Sequence, residues 1–240
     1  MSTVDPKEVQ KFTNIATEWW NPHGKFKPLH MLNPVRIQYI KDKIISHFNI
    51  IPKDYSPLNR LKLLDVGCGG GLISEPMSRL GATVTAIDAS SINIKIAKQH
   101  SLNSKLNINY LCNTTEDLVS SEQKFDIILA LEVIEHISNI EDFIKSCSHL
   151  LNNSGIIFMS TLNRTITSFL QSIIAAEYIL RWLPVGTHNW NKFVLPSELS
   201  KYLRQNNLNI KEIKGIKFHP ITQRWTLSED ISNNYITYIC

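Results

Sequence analysis

The chain has 240 residues, of which 43% are hydrophobic and 19% charged, with 25 Lys and Arg against 21 Asp and Glu. That length suits one generous α/β domain, or a domain with insertions, better than two independent domains. A surplus of four positive charges is too small to argue for a nucleic-acid partner, and it does not oppose an anionic membrane surface.

Val9 to Phe48 reads as helical with interruptions, because Pro22, Gly24, Pro28 and Pro34 punctuate it. This stretch forms an N-terminal helical cap over about residues 1–55. Leu61 to Val66 is a short apolar run that ends in Gly67, Gly69, Gly70 and Gly71. Leu72, Ile73, Met77 and Leu80 then recur at helical spacing, and Pro76 requires that this helix has only just begun. Ala82 to Ile87 is the next predicted strand, followed by a helix over Ile92 to Leu102 and a strand over Ile108 to Cys112.

Phe125 to Leu131 is nearly continuous in apolar residues, as a strand covered by helices on both faces should be. A helix around Phe143 to Leu151 starts with Glu141 and Asp142 and is expected to stop at Asn152 to Gly155. Ile156 to Thr161 is a fifth strand, Pro196 to Gln205 a late helix, and Ile210 to Phe218 with Tyr235 to Ile239 a closing strand pair. Strands alternating with helices predict a doubly wound, mostly parallel sheet of seven strands. Its core is expected over about residues 60–163 and 195–240, with an apolar insertion over about 164–194.

The cysteines Cys68, Cys112, Cys147 and Cys240 lack the spacing of a metal clip or redox dithiol, so a reducing cytoplasm is expected. Met1 to Gln10 has no apolar signal core, and no run reaches the ~18 apolar residues of a spanning helix.

Two constellations carry chemistry. The first joins the glycine turn to Asp88, which closes the second strand 21 positions after Gly67. Glycines let a ligand approach the backbone, and an acid at that place can accept hydrogen bonds from both ribose hydroxyls of a nucleoside. A dinucleotide fingerprint wants glycine at the first, third and sixth positions, and here these are Gly67, Gly69 and Leu72. The missing third glycine weighs against a nicotinamide cofactor. The second constellation is Leu131, Glu132, Glu135 and His136 at the carboxyl edge of the fourth strand. Glu132, Glu135 and His136 could gather round a divalent cation such as magnesium. Alternatively the two glutamates orient loops while His136 packs or serves as a base.

The run Asp65-Val66-Gly67-Cys68-Gly69-Gly70-Gly71 resembles the first motif of class I methyltransferases that use S-adenosylmethionine. That resemblance implies a Rossmann-like fold, Gly67 beside the methionine moiety, Asp88 beside the ribose, and Gly69 and Leu131 against the cofactor. Peripheral segments narrow it further. Phe12 to Trp20, Phe26-Lys27-Pro28-Leu29-His30, Asn33-Pro34-Val35-Arg36, Ser160-Thr161-Leu162-Asn163-Arg164, Ala176-Glu177-Tyr178-Ile179-Leu180 and Gly186-Thr187-His188 resemble the ubiquinone-biosynthesis O-methyltransferases.

The family resemblance implies methylation of a polyprenylated catechol and of a demethylubiquinol, and contact of Arg36 with the cofactor, where its guanidinium could pair with a carboxylate. It also implies work beside other enzymes of the quinone pathway. Glu132 and His136 are the expected catalytic residues, with His188 as a reserve base. Trp19 and Trp20 either cap the acceptor pocket or belong to the core. Thr165 to Leu183 is apolar nearly all round, with Glu177 and Arg181 placed to pair. It is read as a lipid-contacting helix that holds the protein at the inner face of the cytoplasmic membrane, with a buried lid as the alternative.

Overall fold

The computed structural model describes residues 3–52, 54–170, 189–220 and 222–240. The expected helical cap divides into α1 (Pro6–Thr13), a 3₁₀ turn (Ala16–Glu18) and α2 (Lys27–His47). Asp5 caps α1 by accepting from the Lys7 amide at 2.9 Å. Pro34 does not break α2, contrary to the reading of the sequence. Its ring lies on the exposed face, where the carbonyl that loses a partner can turn to water. The opposite face buries Leu32, Arg36, Tyr39, Ile40 and Ile44, and that packing carries the helix across the proline.

The alternation then unfolds as β1 (Lys62–Val66), α3 (Ser74–Arg79), β2 (Thr83–Ile87), α4 (Ser91–Asn103), β3 (Asn109–Leu111), α5 (Thr115–Val119), β4 (Phe125–Leu131), α6 (Ile140–Leu150) and β5 (Leu151–Leu162). Pro76 sits in the first turn of α3, as its missing amide requires. Asn152 to Gly155 do not end α6 as expected. They already belong to β5, because the chain turns extended at Leu151 and pairs it with Phe125. A single turn α7 (Ile166–Ser168) opens the insertion, and α8 (Pro196–Arg204) follows it. Glu177, Arg181 and His188 of the predicted insertion lie outside the described residues.

The chain closes with β6 (Ile210–His219), β7 (Arg224–Ser228) and β8 (Asn234–Ile239). Among the described residues the sheet runs β3-β2-β1-β4-β5-β8-β6-β7, so it has eight strands rather than seven. The added strand β7 pairs only with β6, in an antiparallel hairpin. It holds just two apolar residues, the half-buried Trp225 and the exposed Leu227, an alternation too short to mark a strand in the sequence. The doubly wound, mostly parallel core stands as expected, with β1 parallel to both β2 and β4.

Two apolar layers clamp this sheet. One packs α2, α3 and α4 through Ile40, Ile44, Met77 and Ala97 onto Leu63, Ile127, Leu129 and Phe158. The other packs α6 and α8 through Phe143, Ile144, Leu199 and Leu203 onto Leu64, Ile128 and Ile157. Alternate residues of β4 therefore face opposite layers, and both sets are fully buried. The four cysteines are free, and among the described residues no helix is long and apolar enough to cross a membrane. Replacement Ile128→Ala removes a fully buried side chain from the second layer. It is expected to lower stability by about 2–5 kcal/mol in denaturant unfolding, with little change in the denaturant slope.

Candidate active site

A cleft of about 970 Å³ opens at the carboxyl edge of the sheet. It lies where β1 stands between β2 and β4, the place where the winding reverses and ligands of such sheets bind. Gly67, Gly69, Asp88, Leu131, Glu132, Glu135, His136 and Arg36 all line it. These eight residues are thus brought to one cavity, whereas His188, the reserve base, lies outside the described residues.

The glycine turn is built by backbone demands. Gly67, Gly69 and Gly71 have φ of 67°, 53° and 89°, the left-handed region that disfavours side chains. Space is lacking too, since a Cβ on Gly69 would meet the Trp19 ring at 2.4 Å. Asp88 organises the far wall. Its Oδ2 accepts from the Gly69 amide at 2.9 Å, and its Oδ1 from the Ser90 amide at 2.8 Å and Asn93 Nδ2 at 3.1 Å. Burial nevertheless raises its pKa, against these stabilising donors.

Trp19 and Trp20 press on this turn. Trp19 is buried, stacks on Phe26 at 3.7 Å between ring centroids, and donates Nε1 to Asn93 at 3.0 Å. Trp20 donates to the Gly70 carbonyl at 2.8 Å and stacks on His100 at 3.4 Å. Trp19 also borders the cleft.

Asp65 is the residue that sequence reasoning passed over as part of a motif. It lies fully buried at the end of β1, accepts from Ser74 Oγ at 2.5 Å, and borders the cleft. Desolvation raises its pKa to about 7, with the nearby charge of Asp88 adding to the effect.

The other wall is the edge of β4. Glu132 has φ of 56°, a strained conformation for a residue with a side chain. Its carboxylate pairs with the buried Arg36 guanidinium and accepts from Ser160 Oγ at 2.9 Å. Glu135 is buried, and its Oε2 accepts from Thr161 Oγ1 at 2.9 Å. Burial, and then the charge of Glu132, push its pKa well above the carboxylate range.

His136 ends a 3₁₀ turn over Ile134–His136 and meets Glu8 of α1, with Nδ1 2.9 Å from Oε2. This hydrogen bond, aided by Lys192 and opposed by burial, lowers the pKa of Glu8 to about 2. Glu8 was not legible from sequence. It sits 128 positions from His136, and nothing local marks it.

The expectation that Glu132, Glu135 and His136 share one centre needs correction. The left-handed turn at Glu132 and the 3₁₀ turn after it put Glu132 on Arg36 and Glu135 on Thr161, with the two carboxylates still in contact, and lead His136 away to Glu8. Among the described residues, no three His, Cys, Asp or Glu side chains form a group that could hold a metal ion. Glu132 and Glu135 are close enough to perturb one another, whereas the imidazole is drawn aside.

Comparison with known proteins fits this geometry. Residues 64–159 match a methyltransferase domain family. Over 98% of its length the fold matches the plantazolicin methyltransferase BamL, solved with SAH, at a TM-score of 0.69 and 16% identity, covering 98% of that chain as well. Sheet, glycine turn and cleft define a class I S-adenosylmethionine-dependent methyltransferase.

A ubiquinone biosynthesis O-methyltransferase of Pelagibacter ubique is 51% identical over 99% of this chain and 98% of its own length. The mitochondrial one of Arabidopsis thaliana is 47% identical over 99% of this chain and 74% of its own. The chain belongs to the ubiquinone biosynthesis O-methyltransferase family.

Asp65 yields a prediction with a definite sign. Its folded pKa of about 7 exceeds the unfolded value near 3.9, so its contribution to stability is complete below about pH 4 and is lost as pH rises towards 7. The ligand-free protein is therefore expected to melt at a higher temperature at pH 5.5 than at pH 8. In Asp65→Asn that difference should shrink, as followed by calorimetry.

Proposed function

We propose that the protein transfers the methyl of S-adenosylmethionine to a phenolic hydroxyl of polyprenylated catechol and demethylubiquinol intermediates. The observation that carries this reading is the imidazole of His136 at the β4 edge, in the same cleft as the glycine turn and Asp88. The near full-length likeness to ubiquinone biosynthesis O-methyltransferases supports the acceptor class.

Each wall has a task. Asp88 is suited to the ribose hydroxyls, and Gly67 and Gly69 leave room for the methionine moiety. Arg36 Nε is buried with no partner among the described residues, although the guanidinium already engages Glu132. That free N–H fits a carboxylate, which lets one arginine link the cofactor to the catalytic edge. Asp65 and Asp88 together favour a cationic ligand, and the sulfonium methyl is such a group and already a good electrophile.

The acceptor is the harder half. A phenol of pKa ~10 is about one part in a thousand ionised near pH 7, so a base that closes the gap contributes on the order of 4 kcal/mol. His136 would take the phenolic proton at Nε2 as the oxygen bonds the methyl carbon and the carbon–sulfur bond breaks, the sulfur leaving as a neutral thioether, and Glu132 holds the Arg36 clamp beside it. Closure of the cleft adds alignment of oxygen, carbon and sulfur.

A second reading has one observation in its favour. The charge of Glu132 adds to the cost of ionising Glu135, and a magnesium-class cation between them would relieve it. Activity that chelator abolishes and magnesium restores would select that reading over direct base catalysis.

We further propose contact with a membrane surface, since the acceptors are lipids. Ile166, Phe169 and Leu170 are exposed where the insertion begins, an arrangement that supports such contact. Partnership with other quinone-pathway enzymes remains part of the proposal on family grounds.

Labelled S-adenosylmethionine with short-tailed catechol and demethylquinol acceptors tests the reading, which fails if neither is methylated. His136→Ala is expected to lower kcat by about 10²–10⁴ while calorimetry shows unchanged affinity for S-adenosylmethionine. Replacing Ile166, Phe169 and Leu170 together by Ser should reduce flotation with anionic liposomes and spare cofactor binding. Undiminished flotation would remove this patch from the membrane contact.

A further inference from the structure

We propose that Glu8 is a positioning residue that fixes the tautomer of His136, so that helix α1 completes the catalytic edge. This deepens the reading of His136 as base and rests on it. Glu8 is buried, and its Oε2 lies 2.9 Å from His136 Nδ1. An ionised carboxylate can only accept, so Nδ1 carries the hydrogen. In the neutral ring the lone pair is then at Nε2, which has no hydrogen-bond partner among the described residues. The ring borders the cleft. A free imidazole would divide between two tautomers, and only one of them can receive a proton at Nε2.

The ring is also held from the side. Phe12, one helical turn beyond Glu8 on α1, meets it edge-on at 5.1 Å with planes at 83°. The other oxygen of Glu8 takes Lys192 Nζ at 3.1 Å and Lys11 Nζ at 3.3 Å, which keeps the carboxylate ionised in its buried place. Docking of the N-terminal segment does not depend on the Glu8–His136 bond. Val4 bridges to Ile137, the Ser138 amide donates to the Thr3 carbonyl at 2.8 Å, and Lys192 also pairs with Asp5 at 3.1 Å. The carboxylate on the imidazole is therefore additional to what holds the helix.

The test uses the full-length protein. Histidine is labelled with ¹⁵N, and long-range ¹H–¹⁵N spectra are taken at mildly alkaline pH, with His136→Gln identifying the signals of residue 136. The wild type should show Nδ1 protonated and Nε2 bare, and Glu8→Gln should shift the ring towards the other tautomer or a mixture. In the methyl-transfer assay Glu8→Gln should lower kcat by roughly 10- to 100-fold, with the KM for S-adenosylmethionine within about twofold.

Asp5→Ala, which removes the cap of α1 and one arm of the Lys192 pair, is the control for helix docking and should cost far less in kcat. An unchanged tautomer in Glu8→Gln, or equal losses in Glu8→Gln and Asp5→Ala, would overturn the proposal. If the wild type methylates no phenol, the functional reading fails, while the tautomer spectra still decide whether Glu8 orients the ring.

Discussion

The site depends first on the hydrogen bond from the Gly69 amide to Asp88. It ties the turn after β1 to the end of β2, and the turn can take that shape only because three of its glycines lie in left-handed space. The same carboxylate holds the amide of Ser90 and the side chain of Asn93, which fixes the start of α4. Trp19 then lies on the turn and hydrogen-bonds Asn93. Loss of this junction would leave the cofactor wall, the cap and the first crossover without a common reference point.

Charge is placed against its solvation preference around the cleft. Asp65, Asp88 and Glu135 all have raised pKa values because they are buried, whereas Glu8 is held low by His136 and Lys192. The first group sits on the cofactor side and at the catalytic edge, where a cationic ligand would recover the desolvation cost. Glu8 belongs to the cap, where compensation is already built in. The buried carboxylates of Asp65 and Asp88 prepare the cleft for positive charge, a complementarity that suits a sulfonium.

Legibility from sequence followed the range of the forces involved. The strand β4 was read with its true ends, because a parallel strand covered on both faces must be apolar throughout. The glycine turn and Asp88 were readable because their spacing is set by one strand-helix-strand unit. The strand β7 was missed, since an edge strand with only Trp225 and Leu227 in alternation is too short for its pattern to stand out. The extension of α2 across Pro34 was missed because tertiary packing outweighed a local breaker. Asn152 to Gly155 were read as a stop, but β5 pairs with β4 on either side of that stretch, at Leu151 and at Ile156.

By itself the sequence determined the class of fold, the cofactor turn and the identity of the polar residues at the β4 edge, because each is written in local pattern. Only the tertiary structure decided how those residues are partnered. It paired Arg36 with Glu132, buried Glu135 on Thr161 and brought Glu8, itself paired with Lys192, to His136. Such pairings join positions far apart in the chain, and they are set by how α1 and α2 pack over the sheet edge, which no periodicity along the chain encodes.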